Sequence, residues 1–360
     1  MILVVNTGSS SVKVALFDGG LARLASGEVT EIGGAGLLKS GGDHTPIRAA
    51  DHASALAALL DALDTAGQRL TAAAHRIVHG GADLTAPTRV TPDVIAQISA
   101  CNVLAPLHNP HNIAGIAAIA DALPDLPQYV SFDTAFHATN PAIATTYALP
   151  PEETAKGIRR YGFHGLSYQS LVQSFADTLP DHLLAFHLGN GASLCAIKDG
   201  KSVASSMGYS PLDGLVMGTR TGSIDGMAVL RLAKDHGIAA AGDILNRQSG
   251  LRALGGTSDM AALLQSNSDS ARFAVEHFCY WAARHAGSAI VAMGGLDAVA
   301  FTGGIGENAP EIREQIMDHL AFLGKVPVHV IAADEEKQIA RDALTLLAQD
   351  QLREGASHVP

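Results

Sequence analysis

The chain opens with ILVVNTGSSSVKVALFDG (Ile2–Gly19), and the same outline returns as LLAFHLGNGASLCAIKDG (Leu183–Gly200). At one fixed offset Gly8 falls on Gly189, Asp18 on Asp199 and Gly19 on Gly200. Each copy is an apolar run, a turn of glycine and small polar residues, and a second apolar run closing on Asp-Gly. That reads as a strand, a tight turn and a returning strand. Glycine and serine in such a turn let backbone N–H groups crowd around an anion. One hairpin of this kind is ordinary. Two that match, one in each half, suggest a duplicated α/β fold gripping a phosphate chain between its halves.

The rest of the chain is consistent with that outline. A length of 360 residues suits two domains of roughly 150–200 residues each. Hydrophobic content of 47% against 16% charged residues describes a well-buried globular protein rather than a disordered one. A net charge of −11 with no basic tail argues against nucleic acid as the main partner. An anionic ligand then needs a locally basic pocket. Cys101, Cys195 and Cys279 are far apart and form no zinc spacing, so they read as reduced core residues. No apolar stretch reaches membrane length and no leader precedes the first strand, so the expected location is the cytoplasm.

Between the hairpins, ASALAALLDALDTA (Ala53–Ala66) has helical spacing and ends at Gly67. Ala72–Val78 is a candidate strand, Val94–Ile98 and Ile113–Ala122 candidate helices, and Tyr129–Phe132 a buried strand delivering Asp133. The Pro-rich stretch Asn140–Glu153 is the expected crossover, giving domains 1–145 (with about 338–360) and 146–337. A long helix runs from about Ala271 to Met293 and stops at Gly294-Gly295. The strand Ala298–Phe301 leads into TGGIGENAPEIRE, where Asn308 and Glu311 have the spacing of a capping box. A strand, a glycine turn and a helix start make a second kind of phosphate site.

Four segments set cationic or imidazole side chains beside tight loops: HRIVHGG (His75–Gly81), LHNPHN (Leu107–Asn112), RRYGFHG (Arg159–Gly165) and MGTRTG (Met217–Gly222). Arg76 stands between apolar neighbours and Arg220 in a glycine-flanked loop, neither on a charged helix face. A guanidinium fork matches carboxylate and phosphate oxygens.

Taken in order, NTGSSSVK, HRIVHGG, APLHNP, FDTAFH, RYGFHG, HLGNGAS, SMGYSPLDGLVMGTR and FTGGIGEN resemble the acetate kinases. That family belongs to the acetate and sugar kinase/Hsp70/actin superfamily, and the likeness runs from Met1 to about Arg341. The resemblance implies a duplicated actin-like ATPase (ribonuclease H-like) fold of two domains with a central cleft. The implied reaction is reversible transfer between ATP and acetate, giving acetyl phosphate and ADP. It further implies Mg²⁺ (or Mn²⁺) and a homodimer. By the same resemblance, Asn6 and Glu335 are metal positions and Asp133, His164 and Arg220 catalytic ones. Arg76 would hold the substrate carboxylate, Val78, Leu107, Phe163 and Pro211 its methyl group, and His108 is a further substrate-binding position. The nucleotide would meet Ser9, Ser11, Lys13, His187, Leu188, Gly189, Asn190, Gly191, Asp259, Met260, Ala261, Gly304, Ile305, Gly306, Glu307 and Asn308.

The chemistry agrees with these roles. Phosphoryl transfer needs positioning and cationic donors more than bond-making side chains. A carboxylate nucleophile titrates near ~4–5 and is already ionised at neutral pH. It needs no general base, so Asp133 reads as ordering the metal or its waters, with capping of the next turn as the plainer alternative. The chain departs from the family pattern at Leu166-Ser167-Tyr168, where Thr-Ser-His is usual, and at Ala204-Ser205 and Gly226. In TSDMA, Ala261 stands where an arginine is expected beside the adenine. The chain is also shorter than the family norm, between Lys13 and Arg76 and between Arg220 and Glu335. A propionate or other short-chain carboxylate kinase, or a non-catalytic nucleotide-binding paralogue, stays open as an alternative.

Overall fold

The computed structural model describes residues 1–63 and 69–356, with side chains through 353. The chain forms two compact units, Met1–Phe136 with Asp334–Pro360 and His137–Ala333. The Pro-rich stretch expected as the crossover lies in the second unit, as two helical turns, Ala142–Thr145 and Pro151–Thr154.

The first unit holds an eight-stranded sheet: β1 (Ile2–Thr7), β2 (Ser11–Phe17), β3 (Arg23–Thr30), β4 (Leu37–Ser40), β5 (Asp43–Pro46), β6 (Ala72–Ile77), β7 (Thr88–Arg89) and β8 (Gln128–Phe132), in the order β5-β4-β3-β2-β1-β6-β8-β7. The second holds five strands: β9 (His182–Leu188), β10 (Ala192–Lys198), β11 (Lys201–Ser205), β12 (Ala298–Thr302) and β13 (Val328–Val330), in the order β11-β10-β9-β12-β13. The two sheets have one five-stranded pattern in common. In β3-β2-β1-β6-β8 and in β11-β10-β9-β12-β13 the first three strands form an antiparallel meander. The last two continue parallel to the central strand. The repeat visible as a hairpin is therefore a whole five-stranded motif.

The hairpins themselves differ in pairing. Thr7 lies opposite Val12 in the first, whereas Leu188 lies opposite Ala192, the counterpart of Ser11, in the second. A slip of one residue turns every side chain of the returning strand to the other face. In β2 only Lys13 is exposed. In β10 every residue from Ala192 to Ile197 is buried, so a strand apolar on both faces accommodates the exchange.

Strand alternation sorts the layers. Leu3, Val5, Val12, Val14, Leu16 and Ala73 form one core with Ala55, Leu56 and Leu59 of the helix His52–Ala62 and with Ala118 and Ile119 of the helix Asn109–Ala122. The terminal helix Glu335–Ala356 packs on β1, β6 and β8. It receives Ser131 Oγ on Asp342 and Tyr129 Oη on Asp350, so it covers the opposite face. In the second unit the 25-residue helix Asp269–Met293 packs along β9, β10 and β11 and ends at Gly294 (φ 80°).

Two local expectations need correction. The second candidate helix starts at Asn109, not Ile113, because the His108 turn closes onto Asn112 N–H and Pro110 enters in the first turn. The capping box at Asn308 does not form. The helix Pro310–His319 is preceded by Ala309 without a side-chain cap, while Asn308 Nδ2 donates back to Gly304 O within the short helix Gly303–Asn308. The first candidate helix is regular to Ala62; its expected end at 64–66 lies outside the described residues.

Candidate active site

In the first unit the carboxyl ends of parallel strands gather the expected polar residues. Asn6 lies opposite Lys13, and directly opposite residues share a face. Ile2 and Val4 are level with Ala72 and Ala74, and Arg76 with Ser131. Asp133 continues β8, its N–H still donating to Ile77 O at 3.0 Å. By alternation Asn6, Lys13, Arg76 and Asp133 all project to the face covered by the terminal helix. That helix begins at Glu335, 3.9 Å from Arg76 Nε.

Arg76 Nε donates to both Asp133 oxygens (3.0 and 3.1 Å), and its Nη2 donates to Oδ2 at 2.6 Å. The Asp133 side chain is 3% exposed and that of Arg76 23%. Burial pushes the Asp133 carboxyl up from the ordinary aspartate value, while Arg76 and, more weakly, His108 pull it down. Burial disfavours the charge on Arg76, but Asp133 and Glu335 outweigh it and raise the guanidinium pKa. The Nε edge of Arg76 is thus committed to Asp133. The Nη1–Nη2 edge is the one that can take a second carboxylate in two parallel bonds.

The loop holding Arg76 is fixed by two asparagines that the sequence reading passed over. Asn112 Oδ1 accepts from Val78 N–H and its Nδ2 donates to Thr7 O at 2.7 Å. Asn109 accepts from His79 N–H and donates to His79 O. Asn112 bridges the ends of β1 and β6, and both buried amides satisfy backbone groups that would otherwise be stranded. His75 and His79, in contrast, are buried and held neutral, their pKa values pushed down to about 4 by desolvation.

In the second unit His164 and Arg220 meet over the turn Gly189–Gly191. A Cβ on Gly191 would stand 3.2 Å from His164 Nε2 and 3.7 Å from Arg220 Nη1, so glycine keeps that approach open. The His164 ring stacks on His187 (4.1 Å between centroids), and its Nδ1 lies 2.9 Å from Ser193 Oγ. His164 holds φ 57°, a left-handed conformation that is costly without special support. His137 gives some of that support. It is buried with a pKa pushed down to about 4 by desolvation, its Nε2 bonds Phe163 O at 2.8 Å, and its ring lies against Gly162 (φ 82°). Arg220 has no carboxylate partner among the described residues; its Nη1 reaches only Pro211 O and Met217 Sδ. Burial lowers its pKa without threatening its charge.

The expected nucleotide loops also adjoin one another. A Cβ on Gly189 would stand 3.9 Å from Gly304 N, and one on Gly303 (φ 79°) would strike Leu188 O. Gly218 packs against Asn190 and Ser258, bringing the start of the helix Met260–Gln265 beside the same turn. There Asp259 accepts from Ala261 N–H, Met260 is buried and Ala261 exposed. Glu307 is structural in part, since its Oε1 accepts from Gly303 N–H and Ala333 N–H. Ile305 lies inside the short helix and Gly306 O accepts from Arg313. In the first unit Ser9 is exposed at the hairpin tip, Ser11 O accepts from Gly8 N–H, and Lys13 pairs with Glu28 at 3.4 Å. Of the expected methyl-pocket residues, Val78 is buried and Leu107 51% exposed in the first unit. Phe163 is buried and Pro211 half-buried in the second.

Two five-stranded motifs of one topology, each with anion-directed groups at strand ends, define a duplicated actin-like ATPase fold of the kinase type. Residues 1–351 match the model of the acetokinase family, and the chain belongs to that family. It is 41% identical over 389 aligned residues to the acetate kinase of Nitrobacter hamburgensis, covering 96% of each chain. Among solved structures it is similar to Porphyromonas gingivalis acetate kinase (TM-score 0.89, 34% identity, covering 96% of this chain and 99% of that one). The similarity to a Francisella tularensis propionate kinase is comparable (TM-score 0.90, 36% identity, covering 95% and 98%).

Proposed function

We propose that this chain is an acetate kinase, moving the γ-phosphoryl group of ATP reversibly onto acetate to give acetyl phosphate and ADP. Beyond family membership, one observation carries the reading: Arg220, a guanidinium without a carboxylate partner among the described residues, shares the glycine turn at Gly191 with His164. Such donors suit the charge that builds on the equatorial oxygens during transfer. The carboxylate would be gripped by the Nη1–Nη2 edge of Arg76, aligned because Asp133 holds the other edge. In the step itself an acetate oxygen forms a bond to the γ-phosphorus as the bond to the bridging oxygen breaks, and ADP leaves with that electron pair. No proton moves, so no general base is needed.

The donor set fits Mg²⁺ (or Mn²⁺). Asn6 and Asp133 on one sheet face, with Glu335 at the start of the helix that covers it, would supply hard oxygen ligands. Mg²⁺ is commonly held by one or two carboxylates together with substrate phosphates, and Asp133 and Glu335 would supply the carboxylates. When bound, the ion supplies neutralisation of the β- and γ-oxygens. We further propose a cytoplasmic homodimer. Among the described residues no helix is long and apolar enough to cross a membrane. Met227, Leu230 and Ile238, 61–86% exposed on the helices Gly226–His236 and Ile238–Arg247, offer apolar surface for a second copy.

The test is hydroxamate trapping of the acyl phosphate with ATP, Mg²⁺ and a carboxylate series. In a small apolar pocket each added methylene changes discrimination by about 1–3 kcal/mol. Acetate should lead, propionate should follow and butyrate should react poorly. Absence of any acyl phosphate would refute the kinase reading. A lead for propionate would favour the activity that names the Francisella tularensis relative.

A further inference from the structure

The tip of the first hairpin is held by side chains from the helix layer beside it. Gly8 O lies 2.8 Å from His52 Nε2, at the start of the helix His52–Ala62. A carbonyl oxygen only accepts, so the imidazole N–H donates. The His52 ring lies against that of His111 on the helix Asn109–Ala122, with 5.1 Å between centroids. One residue earlier, Thr7 O accepts from Asn112 Nδ2 of the same helix, and Gly8 N–H donates to Ser11 O at 2.8 Å. A Cβ on Gly8 would stand 3.1 Å from Ser11 Oγ, so glycine leaves that hydroxyl room beside the turn.

These bonds decide where the next N–H points. In a planar trans peptide the C=O of one residue and the N–H of the next point in opposite directions, and no peptide bond among the described residues is cis. His52 draws the Gly8 C=O toward the helix layer that packs on Leu3, Val5 and Val12. The Ser9 N–H is thereby turned away from that layer, toward the side of the sheet on which Asn6 and Lys13 project. Ser9 is exposed, and its N–H meets no acceptor among the described residues. We infer that His52 is a positioning residue for the phosphate chain: by pinning the Gly8 carbonyl it aims the Ser9 N–H, beside the Ser11 hydroxyl, at a phosphate group of the nucleotide. The inference rests on the nucleotide reading of this hairpin given above. A donor fixed before the ligand arrives needs no ordering when it binds. Without His52 the Gly8–Ser9 peptide keeps no other hydrogen bond among the described residues. Once turned over, it would present a carbonyl oxygen to the anion in place of an N–H.

The experiment compares wild type, His52→Leu, His52→Gln and Leu56→Ala as full-length enzymes. The readouts are the ATP and acetate KM values, kcat, the melting temperature, and the change in the Ser9 ¹⁵N–¹H amide signal on adding Mg-ATP. His52→Leu fills the half-buried site and removes the donor. It should raise the ATP KM on the order of 10-fold, the scale of one hydrogen bond to a charged group, with the acetate KM held and the Ser9 response diminished. His52→Gln, whose amide can still donate, should recover most of both changes. Leu56→Ala, in the core side of the same helix, should lower the melting temperature and leave the ATP KM in place, which separates aiming from mere loosening of the helix. Either a wild-type ATP KM or an unchanged Ser9 response in His52→Leu would overturn the inference. So would a His52→Gln enzyme no better than His52→Leu, or an equal rise in ATP KM in Leu56→Ala. If wild type made no acyl phosphate, the kinase reading would fall instead, while the Ser9 response to Mg-ATP with and without His52 would still judge the turn.

Discussion

Arg76 and Arg220 are both partly buried guanidiniums, but their surroundings assign them different work. Arg76 is tied to Asp133 by three short contacts, so Arg76→Ala should raise the acetate KM, lower kcat less, and lower the melting temperature by leaving a buried carboxylate unpaired. Arg220 has no such partner among the described residues. Arg220→Ala should lower kcat on the order of 10²–10³-fold with the melting temperature nearly unchanged. Steady-state kinetics beside thermal unfolding separates the two patterns, and an identical KM effect in both would contradict this division. Ala261 makes a second residue-scale case. It is exposed in the first turn of the helix Met260–Gln265, where the family resemblance implies an arginine. Without a cation to stack on the base, the chain should show limited preference for ATP over GTP, and Ala261→Arg should sharpen it. A strong ATP preference unchanged by that substitution would show that the position does not read the base. The arginines and glycines of the site were legible in the sequence because each stood out against its local pattern. Ser193 was not: it lies inside HLGNGAS as one small residue among several, and only the strand pairing turns it toward His164.

At the level of elements, the strand-turn-strand repeats, the strand delivering Asp133 and the long helix ending at Gly294 could be read from periodicity and glycine. The helix start at Asn109 and the pairing register of the hairpins could not: the first is set by the His108 turn and Pro110, and the second by which face of the returning strand packs inward. Asn112 is the clearest case. In the sequence it is one residue of LHNPHN, where the histidines draw attention; in the fold its amide joins Thr7 O to Val78 N–H across two strands. Asn112→Ala should strand both groups and cost about 1–3 kcal/mol, read as a shift of the urea midpoint with the m-value retained. It should also raise the acetate KM, since Val78 follows directly on the strand that carries Arg76. A midpoint within error of wild type would mean that neighbouring groups take over both bonds.

Over the whole molecule, acidity sets a limit shared by both units. His75 and His79 in the first and His137 in the second are buried and neutral, with pKa values near about 4; unfolded histidine titrates near ~6.5. Between those values the unfolded chain binds more protons than the folded one, so stability rises with pH across the window and is lost as pH falls from ~6.5 toward 4. Each histidine can contribute up to about 1.4 kcal/mol per pH unit. Urea midpoints at pH 7 and pH 5 should therefore differ markedly, and less so in a His75→Gln background; equal midpoints would rule the mechanism out. The duplication of the fold was visible in its first residues, but how the copies diverged was not. The position matching Lys13 in the second hairpin is Leu194, which pairs with Phe186 in the core, while Ser193, the match of Val12, takes the place opposite His187. A graft between the two halves made by aligning letters would bury a lysine and expose a valine to the reacting groups. Two descendants of one ancestor can thus acquire unlike chemistry with scarcely a change of spelling, by reading the same line from the other side of the page.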